Sequence, residues 1–211
     1  MGILIGDLPA GWREAPLAEL CEIKSGPSGA LRGRATTNTA LGVPVVMTKD
    51  FRINGVSDQQ LARVSEVAAR ELAGYRLRVG DIICARTGEL GRQVIIGPKE
   101  AGWLYGTACI RLRPDDSRLR PSYLLYYLGH PRVVDWIHRN ATGSAMPSIS
   151  GKVLGTLPVA FPGLESQSGI VEVLELLDAK AAVHDQISRT TVALRDSLLN
   201  GLYNGGVMFA E

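Results

Sequence analysis

From Leu164 to Tyr203 the chain reads LESQSGIVEVLELLDAKAAVHDQISRTTVALRDSLLNGLY, without a proline and with one long apolar stripe. At about 1.5 Å per residue this predicts a single helix roughly 60 Å long. The stripe runs through Ile170, Leu174, Leu177, Ala181, His184, Ile187, Thr191, Leu194 and Leu198. It steps by fours and threes, the spacing of a helix buried against another helix. Such a helix requires a partner. Two adjacent three-residue steps around His184 resemble a stammer, and the polar His184 and Thr191 weaken the seam, so a long regular zipper is not expected.

Before residue 164 the periodicity changes. Val43 to Met47, Asp81 to Ala85, Arg92 to Ile96 and Tyr105 to Leu112 are short runs rich in Val and Ile, bounded by Gly, Pro or Asp, and read as strands. Ser65 to Leu72 reads as a short helix capped by Ser65, and Pro121 to Leu128 and Pro131 to Arg139 as helices that each begin at a proline. Ser25 to Thr39, Lys49 to Ser57 and Thr142 to Lys152 read as long loops. Regular strand–helix alternation is absent. The pattern therefore predicts an α+β fold: an irregular mixed β-sheet domain over 1–163, a long coiled-coil-type helix over 164–203 and a tail over 204–211.

Charge changes at the same boundary. Residues 1–163 hold 20 Lys and Arg against 14 Asp and Glu, a net +6, whereas residues 164–211 hold 3 against 7, a net −4. A basic globular part joined to an acidic arm suggests that the first meets a polyanion and the second meets protein, because counterion release rewards Lys and Arg beside phosphates. Solubilising surface charge is the plainer reading of the same excess. A hydrophobic content of 45% is that of a globular chain. With no apolar run of membrane-spanning length and no secretory leader pattern at the start, the expected location is the cytoplasm, away from any membrane. Cys21, Cys84 and Cys109 are odd in number, far apart and flanked by apolar residues, which predicts buried, reduced thiols.

The search for catalytic chemistry returns negatives. Gly143 and Gly151-Lys152 lie too far apart for a phosphate loop, and Val153 stands where a Ser or Thr would reach magnesium. Ser144 lacks the second glycine of a nucleophile elbow. His130, His138 and His184 do not cluster with the cysteines at metal-ligand spacing. Neither a glycine-rich dinucleotide fingerprint nor an Asn-Pro-Pro-Tyr-type methyl-transfer motif is present. The expectation is a non-enzyme without metal or cofactor; a cryptic active site is the weakest alternative.

Several segments fall in a specific order. Leu8-Pro9-Ala10-Gly11-Trp12 precedes Leu17 to Leu20; Gly80-Asp81-Ile82-Ile83-Cys84-Ala85-Arg86-Thr87-Gly88 precedes Leu90-Gly91-Arg92; then come Ala141 to Ser150 and Leu157 to Pro162. Gln167, Ile170, Leu174, Leu177-Asp178, Lys180 and Leu194 to Leu199 complete the set. In that order they resemble the target-recognition domain and conserved helical region of type I restriction-modification specificity subunits, over almost the whole chain.

The resemblance implies a non-catalytic reader of double-stranded DNA that directs an adenine-specific methyltransferase subunit and a restriction subunit to a bipartite target. Specificity subunits of this family carry two recognition domains and two helical regions packed antiparallel, and this chain has one of each. It resembles a half-subunit, which implies a homodimer through the nine stripe residues named above and a target that is an inverted repeat. A protein-interaction scaffold that has kept the fold and lost DNA reading is the alternative. The candidate DNA contacts are Lys24, Arg32, Arg34, Lys49, Arg52, Arg86, Thr87, Arg92, Arg139, Ser144 and Lys152, in or beside the glycine-rich loops. Each basic residue taken singly reads more readily as a solvated surface charge. Met146 and Ile149 read as anchors that pin their loop to the core, and Trp12, Trp103 and Trp136 as core aromatics.

Overall fold

The computed structural model describes residues 4, 6–29, 31, 35, 41–52 and 55–203, and divides into two compact units, Met1–Ser168 and Gly169–Glu211. The first unit is α+β. Its largest sheet has four strands in the order β2 (Cys21–Ser25), β10 (Cys109–Pro114), β7 (Ile82–Ala85) and β8 (Gln93–Ile95), each neighbouring pair antiparallel. A three-stranded sheet places β3 (Val43–Val46) between β6 (Ala62–Val64), antiparallel to it, and β9 (Leu104–Tyr105), parallel to it. β4 (Phe51–Arg52) and β5 (Gly55–Val56) form a small antiparallel pair. The fourth sheet pairs β1 (Arg13–Pro16) with β11 (Pro158–Phe161), Arg13 opposite Phe161 and Pro16 opposite Pro158.

Alternation along β3 distributes the core. Val43 and Val45 pack with Ala62, Val64, Leu104 and the α1 residues (Glu66–Glu71) Ala68 and Ala69, whereas Val46 joins Phe51, Ile83, Val94, Ile96 and Tyr105. Each fully buried aliphatic side chain contributes about 1.5–3 kcal/mol relative to exposure. Ser65 caps α1, its hydroxyl accepting from the Ala68 amide at 3.2 Å, as its sequence predicts. α2 (Pro121–Gly129) and α3 (Pro131–Arg139) both begin at their prolines.

The run from Tyr105 to Leu112, predicted as one strand, is two strands in different sheets. Gly106 causes the break: a Cβ there would collide with the Met47 sulfur, and the Cys109 amide donates to the Gly106 carbonyl at 3.1 Å to close the turn. Strands β1, β2, β6 and β11 were not marked by alternation. Nor was α4 (Gly151–Leu154), capped by Ser150, whose hydroxyl accepts from the Val153 amide at 3.2 Å inside the predicted 142–152 loop.

The helix α5 spans Leu164–Tyr203, the bounds its sequence predicts. Its first turns belong to the globular unit because Gln167 ties them there. The Gln167 side chain is fully buried; its amide nitrogen donates to the Arg118 and Pro162 carbonyls at 3.0 and 2.9 Å, and its oxygen accepts from the Arg120 amide at 2.8 Å. Gln167→Ala leaves three backbone groups without this partner. Thermal denaturation of that variant is expected to show a loss of about 2–3 kcal/mol; a loss below about 0.5 kcal/mol would refute the role.

Candidate nucleic-acid interface

Two segments that are far apart in sequence are laced together. The first, 86–92, follows β7; the second, 141–150, connects α3 to α4. The Thr142 amide donates to the Ser148 carbonyl and the Ser148 amide to the Thr142 carbonyl, both at 2.8 Å, making the second segment a closed loop. Gly88 then donates to the Pro147 carbonyl at 3.0 Å, and Ile149 to the Arg86 carbonyl at 3.0 Å. The lacing depends on local sequence: Gly143, at φ +91°, adopts a backbone conformation costly for other residues, and buried Ile149 anchors the loop's return. This brings Arg86 and Thr87 to the loop that carries exposed Ser144. The Arg86 Nε is buried without a hydrogen-bond partner among the described residues, and Arg139, exposed at the end of α3, reaches back to the Asp135 carbonyl at 3.3 Å.

Lys49, Arg52 and Arg92 form a second group around Phe51. Arg52 donates to the Lys49 and Phe51 carbonyls, both at 2.8 Å. Arg92 donates to the Phe51 carbonyl at 2.8 Å, stacks over the Phe51 ring at 5.9 Å and pairs with Glu89. Arg92, immediately before β8, thus also holds β4 against it, while the bonds of Arg52 stay within its own segment. Lys24 and Lys152 are not brought together. Ile23 and Ser25 lie within 3.4 Å of where a Gly151 side chain would start, so β2 turns these residues toward α4 and Lys24 the other way. The Lys24 ammonium donates to the Gly74 carbonyl at 2.8 Å and sits 4.4 Å above the Tyr75 ring. Arg32 and Arg34 lie outside the described residues.

Other expectations resolve differently. Ile149 is a core anchor, but Met146 is 67% exposed, because Gly143 and Pro147 turn the loop tip outward. Trp12, Trp103 and Trp136 are only half-buried. Cys21, Cys84 and Cys109 are buried and free; burial pushes all three thiols up, Cys21 and Cys109 to about 12, which keeps them protonated. Among the described residues no cluster of His, Cys, Asp and Glu is placed to hold a metal ion, and no helix is long and apolar enough to cross a membrane. Sequence reasoning overlooked Asp81, whose carboxylate accepts from the Arg113 Nε and Nη2 at 2.7 and 2.8 Å and from the Arg78 amide at 2.7 Å. An Asp directly before an apolar strand is the signal that could have marked it.

On the long helix, Ile170 and Leu174 are half-buried, and Leu177, Ala181, His184, Ile187, Thr191, Leu194 and Leu198 are exposed. Val173 and Leu176 are exposed as well. Entered through Val173, the exposed stripe becomes Val173, Leu177, Lys180, His184, Ile187, Thr191, Leu194 and Leu198, an unbroken alternation of four- and three-residue steps. The stammer disappears, at the cost of a lysine in the stripe.

Known proteins share this fold. The chain is 23% identical over 209 residues to the specificity subunit of the type I restriction enzyme MjaX of Methanocaldococcus jannaschii, a match covering 96% of this chain and 48% of that protein. Among solved structures it is similar to a chain of a type I restriction-modification system, with a TM-score of 0.67 and 24% identity over 96% of this chain and 48% of the other. The crystal structure of the HsdS subunit of Thermoanaerobacter tengcongensis gives a TM-score of 0.61 at 22% identity, covering 96% and 47%. The chain spans about half the length of these relatives. Residues 9–190 match the type I restriction modification DNA specificity domain, and the chain belongs to that family.

Proposed function

We propose that this chain is the DNA-reading part of a type I restriction-modification system, acting as a homodimer of half-subunits. In this reading residues 1–163 recognise double-stranded DNA, and residues 164–203 join two copies and space them. The pair directs an adenine-specific methyltransferase subunit and a restriction subunit to an inverted-repeat, bipartite target, and the chain makes or breaks no bond itself. The lacing of 86–92 to 141–150 carries the reading, since it ties the backbone of Arg86 and Gly88 to the loop that carries exposed Ser144 and sets Thr87 opposite Ser148. Arginine can meet guanine O6 and N7 there, and the small residues allow close approach to the duplex.

The helix supports the antiparallel arrangement of two copies. Its first half, 164–183, carries Glu165, Glu172, Glu175 and Asp178 against Lys180, a net −3, whereas its second half, 184–203, balances Asp185 and Asp196 with Arg189 and Arg195. Antiparallel pairing sets the acidic half of each copy beside the neutral half of the other, whereas parallel pairing sets the two acidic halves together.

Binding titrations of the chain with its methyltransferase on a randomised bipartite library, at several salt concentrations, test the reading. Arg86→Ala is expected to lose roughly 1–3 kcal/mol of specific affinity in each half-site and to relax one position there, with relaxed positions related by inversion. Lys152→Ala is expected to weaken all sequences alike and to make the salt dependence shallower by about one unit per contact in each copy. Wild-type binding without sequence preference would favour the interaction scaffold instead.

A further inference from the structure

We propose that Met146 reads a thymine, its thioether side chain packing on the C5-methyl group in the major groove. This rests on the DNA-reading function proposed above and adds to it a residue that determines specificity. Met146 is 67% exposed, while Ile149, three residues on in the same loop, is 2% exposed. The loop therefore has one apolar residue that stabilises the fold and one turned to solvent.

The exposed one is held rigidly. Paired Thr142–Ser148 hydrogen bonds close the loop behind it, the Gly88 amide holds the Pro147 carbonyl beside it, and Pro147 fixes the following backbone angle. A Cβ at Gly143 would lie 2.9 Å from the Met146 carbonyl oxygen, so the turn closes tightly under the side chain. A methionine on so constrained a tip has lost little of its contact surface to the protein and pays little backbone entropy on binding.

Its surroundings identify the ligand. Ser144 shares the loop tip, Arg86 and Thr87 stand on the laced segment, and Arg139 and Asn140 end the preceding helix, so the segments tied to the Met146 loop offer hydrogen-bonding and cationic residues around one exposed apolar residue. A protein partner's hydrophobic core would call for a wider apolar patch. The major-groove edge of DNA has the matching composition: donors and acceptors on every base pair, phosphates on both sides, and one apolar group, the thymine methyl. Methionine's flexible, polarizable side chain suits contact with a single methyl group.

The test pairs a protein deletion with a DNA deletion. The full chain with its methyltransferase is titrated on a duplex bearing the sequence that methylation mapping identifies, with each thymine replaced singly by deoxyuridine to remove only the methyl group. Wild-type affinity is expected to fall about fourfold at one thymine of a half-site, the worth of one buried methyl group. Met146→Ala is expected to bind the thymine and deoxyuridine duplexes equally, and Met146→Leu to keep the discrimination. Indifference to deoxyuridine at every position, with target preference intact, would overturn the thymine contact and leave DNA reading standing. Permanganate-reactive, unstacked thymines that depend on Met146, without a deoxyuridine effect, would make the residue a wedge instead. Weaker methyltransferase binding by Met146→Ala in the absence of DNA would reassign it to a protein contact. No sequence preference in the wild type would overturn both readings.

Discussion

Leu194→Glu is expected to abolish the dimer proposed above and leave a monomer at micromolar concentration. Leu194 is 59% exposed in the single chain and forms one apolar patch with Thr191, Leu198, Leu199 and Leu202. An exposed position tolerates such a change within about 0.5 kcal/mol in the monomer, so the globular unit should melt unchanged. In the dimer each copy brings a carboxylate into an apolar seam without a partner, which costs several kcal/mol. Light scattering reads the difference directly, and Leu194→Met should preserve the dimer. An unchanged dimer mass for Leu194→Glu, or a monomeric wild type at micromolar concentration, would sink the arrangement.

Asp81→Ala should instead destabilise the globular unit while leaving the oligomeric state alone. Asp81 is 1% exposed, immediately before β7, and Arg113 follows Leu112, which pairs with Ile82 across the sheet. The register therefore delivers the guanidinium to the carboxylate, where Asp81 also accepts the Arg78 amide. Removing the carboxylate leaves the Arg78 amide unpaired and Arg113 only its longer contacts with the Glu22 carboxylate at 3.6 Å and the Arg76 carbonyl at 3.4 Å, an expected cost of about 3 kcal/mol. For a chain of this size that lowers the melting temperature by roughly 10 °C. Asp81→Ala combined with Arg113→Met should cost less than the sum of the two single changes, because the second removes the stranded charge. Additive losses would show that the pair is not coupled.

The parts of this fold written in local pattern were legible and the parts set by distant contacts were not. Helix α5 and the prolines opening α2 and α3 announce themselves through periodicity and rigid φ, which act within a turn. Strand β1 does not: Arg-Glu-Ala-Pro has one buried position and becomes a strand because β11 supplies its hydrogen bonds. The split at Gly106 depended on a sulfur from Met47, far away in sequence. The candidate interface divides in the same way. Glycines and threonines marked both laced segments, but only the fold could join Gly88 to Pro147 or show that Lys24 donates to the Gly74 carbonyl. A lysine's preference for a backbone carbonyl and an aromatic face over solvent leaves no trace in its sequence neighbours.

The β1–β11 pair constrains the chain between its strands. By setting Arg13 opposite Phe161 it brings the two ends of the intervening chain side by side, three residues before the long helix begins. Two things hold that segment to the helix: the four-residue β1–β11 pairing, and Gln167, which grips the Arg118 and Arg120 backbone from the first turn of α5. A different segment set between these strands would keep its junction with the helix only if it supplied both the antiparallel register of four residues and backbone groups for Gln167 to hold.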